Sequence, residues 1–116
     1  MNFGLSKSYP LDPETVEKAI KMRAAGNFAL GEIGETGSFV VEYVGRSGSD
    51  VKRKIKAMLG RQYSAFRYCY AMTPKDAFEK DCRIFHDLGG SIMLDNTEHP
   101  TRPERVKWQC PLCDIY

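Results

Sequence analysis

Two β-rich runs, NFALGEI (27–33) and SFVVEYVG (38–45), flank a short glycine-containing turn. Apolar and β-branched residues on either side of such a turn predict a β-hairpin. A hairpin alone is marginal in water, so the neighbouring chain must cover it. The sequence offers cover on both sides. Downstream, Ser49 or Asp50 caps a helix whose Val51, Ile55, Met58 and Leu59 form an inward stripe, and Gly60 stops it. SAFRYCYAM (64–72) follows, with Phe66, Tyr68 and Tyr70 alternating onto one side of a third strand. A helical crossover makes the second and third strands parallel, with the first lying between them. Upstream, Asp12-Pro13 caps a helix with Val16, Ala19, Ile20 and Met22 inward, ending near Gly26.

The last helix breaks the simple pattern. Thr73-Pro74 starts it and Gly89-Gly90 ends it, and it contains AFEKDCRIFHDL (77–88). At about 100° per residue, Ala77, Ile84, Phe85 and Leu88 make the buried stripe, and Asp81 falls inside it. Cys82 and His86 lie one turn apart on another side. Residues 89–116 are rich in proline, asparagine and charge and read as an irregular tail. The order α-β-β-α-β-α-tail predicts an α+β sandwich: a small three-stranded sheet flanked by helices. At 116 residues this is one domain, with an N-terminal helical extension (1–25), a core (26–96) and a tail (97–116).

Net charge is only +2, but its distribution is uneven. Residues 46–67 carry seven basic side chains (Arg46, Lys52, Arg53, Lys54, Lys56, Arg61, Arg67) against one acid, Asp50. The segments on either side are each mildly acidic. A basic middle suits a polyanion such as nucleic acid, and the plainer reading is a solvated helix face. No apolar run approaches a membrane span, and the N-terminus lacks a signal-peptide core, so a cytoplasmic protein is expected. Thiols stay reduced there, and four cysteines point to metal binding or burial instead of disulfides.

Helix-borne Cys82 and His86 have a complement in the tail, Cys110-Pro-Leu-Cys113. Three cysteines and one histidine make a closed tetrahedral zinc set that would clip the tail to the helix. The alternative is a frayed C-terminal CxxC with a capping histidine. His99 is the reserve ligand, although His99-Pro100 also shapes a turn. Cys69 reads as an ordinary strand thiol and Trp108 as cover for a core edge.

GNFALG (26–31), YVGRS (43–47), the helix after them, a strand and then AFEKDCRIFH resemble the GIY-YIG nuclease family. GNF stands at the place of GIY and YVG at the place of YIG. LDN, HP and the terminal CPLC are similar to a small branch of that family. The resemblance spans residues 26–96 and implies a metal-dependent DNA endonuclease. It places the first family tyrosine on Phe28, the second on Tyr43, and the late asparagine on Asn96. The helix arginine falls on Lys54 by the frame of Val51 and Ile55, or on Arg53 by counting from Tyr43. The family's metal-binding glutamate falls on Asp81, four residues after Ala77, where it would hold Mg²⁺ or Mn²⁺. Tyr43 would then orient or deprotonate water, and Lys54, Arg53 or Arg46 would supply positive charge. Without a metal, Asp81 would be a buried acid paired to a hydroxyl or a basic side chain. Phe for Tyr, Lys for Arg and Asp for Glu also suit a non-catalytic nucleic-acid-binding module. A zinc-stabilised interaction domain is a third reading, and the oligomeric state is left open.

Overall fold

The computed structural model describes residues 3–116 as an α+β fold. Its strands are β1 (Tyr9–Pro10), β2 (Gly26–Ile33), β3 (Phe39–Ser47) and β4 (Ala65–Tyr70). Its helices are α1 (Pro13–Ala19), α2 (Val51–Lys56), α3 (Pro74–Asp87) and α4 (Gly90–Met93). The sheet runs β1-β4-β2-β3 with every neighbouring pair antiparallel.

The sheet has four strands where the sequence predicts three. The extra one, β1, is two residues long and pairs Tyr9 with Phe66 and Pro10 with Ala65. It has no period to detect, and Pro10 is tolerated because the strand lies at the edge. The three anticipated strands stand in the anticipated order, with β2 central. Since β3 and β4 both run against β2, they point the same way, as the crossover through α2 requires.

Alternation along β2 divides the interior. Phe28 and Leu30 face α1 and α2, packing with Val16, Ile20, Val51, Ile55 and Phe66. Ala29 faces α3, packing with Val44, Ile84, Phe85 and Leu94. Asn27, fully buried, donates from Nδ2 to the Ala77 carbonyl at 2.9 Å and ties β2 to the first turn of α3.

Three helix starts match their sequence signals. Asp12 accepts from the Thr15 N–H, Asp50 from that of Arg53, and Thr73 from that of Asp76. The end of α1 differs from expectation, because it stops at Ala19 and not near Gly26. Two strand tyrosines take over its last turn. Tyr68 donates its hydroxyl to the Ala19 carbonyl at 2.8 Å, and Tyr70 accepts from the N–H groups of Lys21 and Met22. Met22 consequently points outward while Ile20 is fully buried. Gly26 begins β2 and terminates nothing. A side chain there would lie 2.2 Å from the Cys69 carbonyl oxygen, so only glycine fits.

A short fourth helix, α4, follows α3, and beyond it the irregular tail folds back over α3. Trp108, Cys110, Cys113 and Tyr116 pack on Phe78 and Cys82. This broadens the buried arc of α3 beyond the predicted stripe to include Phe78 and Cys82. Among the described residues, no helix is long and apolar enough to cross a membrane.

Candidate functional site: a polar cleft beside a His–Cys cluster

A cleft of about 540 Å³ opens between the end of β3, the inner face of α3 and the segment 95–101. Tyr43, Arg46, Lys54, Asp81 and Asn96 all line it, as do Glu98, His99 and Thr101. Five of the seven candidate catalytic residues therefore share one cavity. The other two do not reach it. Phe28 is 1% exposed, with its ring stacked near Tyr43 at 6.4 Å between centroids. Its Cζ abuts the bare Cα of Gly45, so it is a core side chain beneath the cleft floor. Arg53 is exposed and outside the cleft, while Lys54, in the frame of Val51 and Ile55, lines it.

Asp81 sits where the helical wheel puts it, on the inner face of α3, 5% exposed. Its Oδ2 accepts from Arg46 at 3.1 Å, and its Oδ1 is buried with no hydrogen-bond partner among the described residues. Burial pushes the carboxyl up, against the opposing pull of Arg46 and His99. Arg46 is largely buried too. Its second terminal nitrogen donates to the Thr101 carbonyl, and its guanidinium lies 4.9 Å from the Phe78 ring centroid.

Asn96 has a task not anticipated for it. Its Oδ1 accepts from the Val44 N–H at 3.0 Å and its Nδ2 donates to the Val44 carbonyl at 2.8 Å. Next to it, the Asp95 N–H donates to the Glu42 carbonyl at 2.6 Å. The pair imitates a strand along the outer edge of β3, so the Asn96 amide is already spent on backbone. Asp95 also accepts from the Tyr63 hydroxyl at 2.9 Å.

The cleft wall continues into a second constellation. His86, His99, Cys110 and Cys113 each offer a ligand atom, and these atoms lie within 4.8 Å of one another. His99 Nε2 is 3.2 Å from His86 Nε2 and 3.3 Å from Cys113 Sγ. Bonds of about 2.0–2.3 Å at tetrahedral angles space ligands about 3.3–3.8 Å apart, so the set suits such an ion. His99 Nδ1 pairs with the Pro100 carbonyl at 2.9 Å, which orients the ring so that Nε2 faces the cluster.

This set differs from the predicted one in a single member, with His99 in place of Cys82. Cys82 sits a full turn deeper on α3, fully buried against Phe78. Burial raises its thiol well above the ordinary range, and its hydrogen bond to Cys110 raises it further. Burial works against ionising Cys110, but the Leu112 N–H together with His99, Cys113 and Cys82 outweighs it and brings that thiol down to about 6. His99 stood in the sequence as the reserve ligand, in a His-Pro pair that also shapes a turn, and the structure brings it into the cluster. Nothing in its spacing shows that the tail doubles back along α3.

No protein-family model, curated protein or solved structure matches this chain. What it does must be read from its own side chains. Cys69, on β4, lies outside both constellations, 3.3 Å from Lys80 Nζ. The basic middle is also less free than its composition suggests. Lys52 and Lys56 both pair with Glu17, at 2.7 and 2.6 Å, and Arg67 lies over the Phe39 ring. Arg53, Lys54 and Arg61 have no ion pair among the described residues.

Proposed function

We propose that the cleft binds the phosphate backbone of DNA and hydrolyses a phosphodiester there, in the manner of the GIY-YIG nucleases that the motifs resemble. The observation that carries this reading is Asp81. It is a buried carboxylate with one oxygen on Arg46 and the other without a partner, in a cavity that also holds Tyr43 and Lys54. A lone hard oxygen beside a cavity of about 540 Å³ fits Mg²⁺ or Mn²⁺, which bind through one or two carboxylates and the substrate's own phosphates. When bound, such an ion supplies Lewis-acid polarisation of the phosphoryl oxygen. Arg46 and Lys54 would hold the phosphate by charge, Lys54 as a point charge. Tyr43 would orient the attacking water through its hydroxyl. Asn96 and Phe28 stay outside the chemistry, the first holding the β3 edge and the second filling the core.

The tail cluster is read as a structural zinc site. Two imidazoles and two thiolates suit a borderline-soft ion, and four protein ligands leave no open position. A reducing compartment such as the cytoplasm keeps those thiols available.

A second reading has its own observation. Both terminal nitrogens of Arg46 are already engaged, by Asp81 and Thr101, and no hydroxyl stands at position 28. That favours a module that binds nucleic acid without cutting it. Plasmid nicking with Mg²⁺ or Mn²⁺, beside an Asp81→Asn variant, distinguishes the two. The nuclease reading expects nicking that Asp81→Asn abolishes while DNA binding persists. Binding without nicking supports the module, and a zinc-stabilised interaction domain would show neither. Neutralising Arg53, Lys54 and Arg61 together should weaken DNA binding and flatten its salt dependence. An unchanged salt slope would remove this face from the interface.

A further inference from the structure

His99 belongs to both constellations, and the chain running from it is continuous. Its Nε2 faces His86 and Cys113 in the cluster. Its Nδ1 is held by the carbonyl of the next residue, Pro100. One residue further, the Thr101 carbonyl accepts from Arg46, and Arg46 donates to Asp81. Residues 98–101 thus form a cleft wall anchored at one end by the cluster and at the other by a guanidinium.

The wall's other fixings are the burial of Pro100, the edge-on packing of His99 against Phe85 and Tyr116, and the bond from Arg102 to the Trp108 carbonyl. Residues 97–103 belong to no helix or strand, and their backbone makes no sheet ladder. Ordering such a segment costs backbone entropy at every residue, so its fixed points decide whether it holds its place. Arg46 depends on the wall in turn. With the Thr101 carbonyl gone, a largely buried guanidinium loses one of its two polar partners and is free to leave Asp81 for solvent.

We infer that metal occupancy of the His86–His99–Cys110–Cys113 cluster governs the cleft, by fixing Thr101 so that its carbonyl orients Arg46 against Asp81. His99 and Thr101 are positioning residues, because neither need touch the substrate. The functional consequence, control of phosphate binding, rests on the reading of the cleft given above, but the coupling itself does not. The two metals would also be chemically distinct. A thiolate-containing cluster selects a soft or borderline ion, and the Asp81 oxygen selects a hard one, so Mg²⁺ cannot substitute for zinc in ordering the wall.

Coupling is reciprocal: whatever the ion does for the Arg46–Thr101 contact, that contact does for the ion. Zinc affinity is therefore measured by chelator competition on Asp81→Asn and on Asp81→Asn/Arg46→Met. Both are full-length proteins; in Asp81→Asn the amide oxygen can still accept from Arg46, whose charge then lacks its carboxylate, and the double variant removes that charge. The double variant should bind zinc about fivefold or more weakly than Asp81→Asn. Equal affinities would overturn the inference. A second readout needs no substitution in the cleft. The Arg46 side-chain Nε–H resonance should shift toward the position of solvated arginines in Cys113→Ser, while the β2 amides stay dispersed. An unmoved Arg46 signal in a metal-free, folded variant would equally refute it. Neither readout uses DNA. A protein that passes both but nicks nothing keeps the coupling and loses the nuclease, whereas nicking with no coupling does the reverse.

Discussion

Phe28→Tyr puts a hydroxyl at the position where the resemblance would have a catalytic tyrosine, and the structure predicts that it damages the protein. Phe28 is 1% exposed, and a Cβ built on Gly45 would lie 2.6 Å from its Cζ. The para carbon therefore already touches main chain, and a hydroxyl attached to it has nowhere to go but into that contact. Burying a hydroxyl without a partner costs about 1–3 kcal/mol. Forcing an extra heavy atom into a packed core costs about 1–3 kcal/mol more. The sum is about 2–6 kcal/mol, and at about 4 °C per kcal/mol for a domain of this size Tm should fall by about 8–24 °C. Thermal unfolding followed by circular dichroism measures this directly, with plasmid nicking run on the same preparations. A Phe28→Tyr protein with unchanged Tm and faster nicking would refute the reasoning. It would mean that the hydroxyl clears Gly45 and enters the cleft beside Tyr43.

Three further outcomes are expected. Asn96→Ala leaves both the N–H and the carbonyl of Val44 without their partner and should lower urea stability by about 2–3 kcal/mol; a loss below about 1 kcal/mol would show that water replaces the amide freely. Cys82→Ser should retain one metal ion per chain by elemental analysis, whereas Cys113→Ser should lose it, because Cys82 lies outside the four-ligand cluster. Glu17, whose carboxyl Lys52 and then Lys56 hold down at about 2 against an ordinary 4.5, contributes stability that is complete above pH 4.5 and lost as pH falls toward 2. The difference in urea stability between the native protein and Glu17→Gln should shrink over that window, and a constant difference would sink the assignment.

Much of the fold is legible because its signals are local. The caps at Asp12, Asp50 and Thr73 are read three residues ahead, and the inward frames of α2 and α3 follow from period alone. Asp81 is placed correctly for the same reason. What escapes the sequence is always a contact between distant segments. Strand β1 exists because β4 accepts it, and α1 ends early because Tyr68 and Tyr70 reach across from the sheet. Cys82 yields its place in the cluster to His99 because the tail returns along α3 at a height that helical spacing cannot specify. Asn96 looks like a site residue in the sequence, yet the structure uses its amide to mimic a peptide group.

That mimicry has a chemical lifetime. A primary amide can stand in for a backbone unit because it carries one donor and one acceptor side by side, matched to the acceptor and donor of Val44. Slow hydrolysis of Asn96 to aspartate would preserve the shape and destroy the match. The oxygen replacing Nδ2 would face the Val44 carbonyl, turning an attraction at 2.8 Å into a repulsion between two acceptors. Asp95 already stands next to it, so two adjacent carboxylates would then follow one another in the chain beside β3. The damage would begin at the rim of β3 and spread to the cleft, since Gly45 and Arg46 are the next residues along. An aged sample would thus be expected to loosen around Arg46 first, with its helices and its central strand still intact.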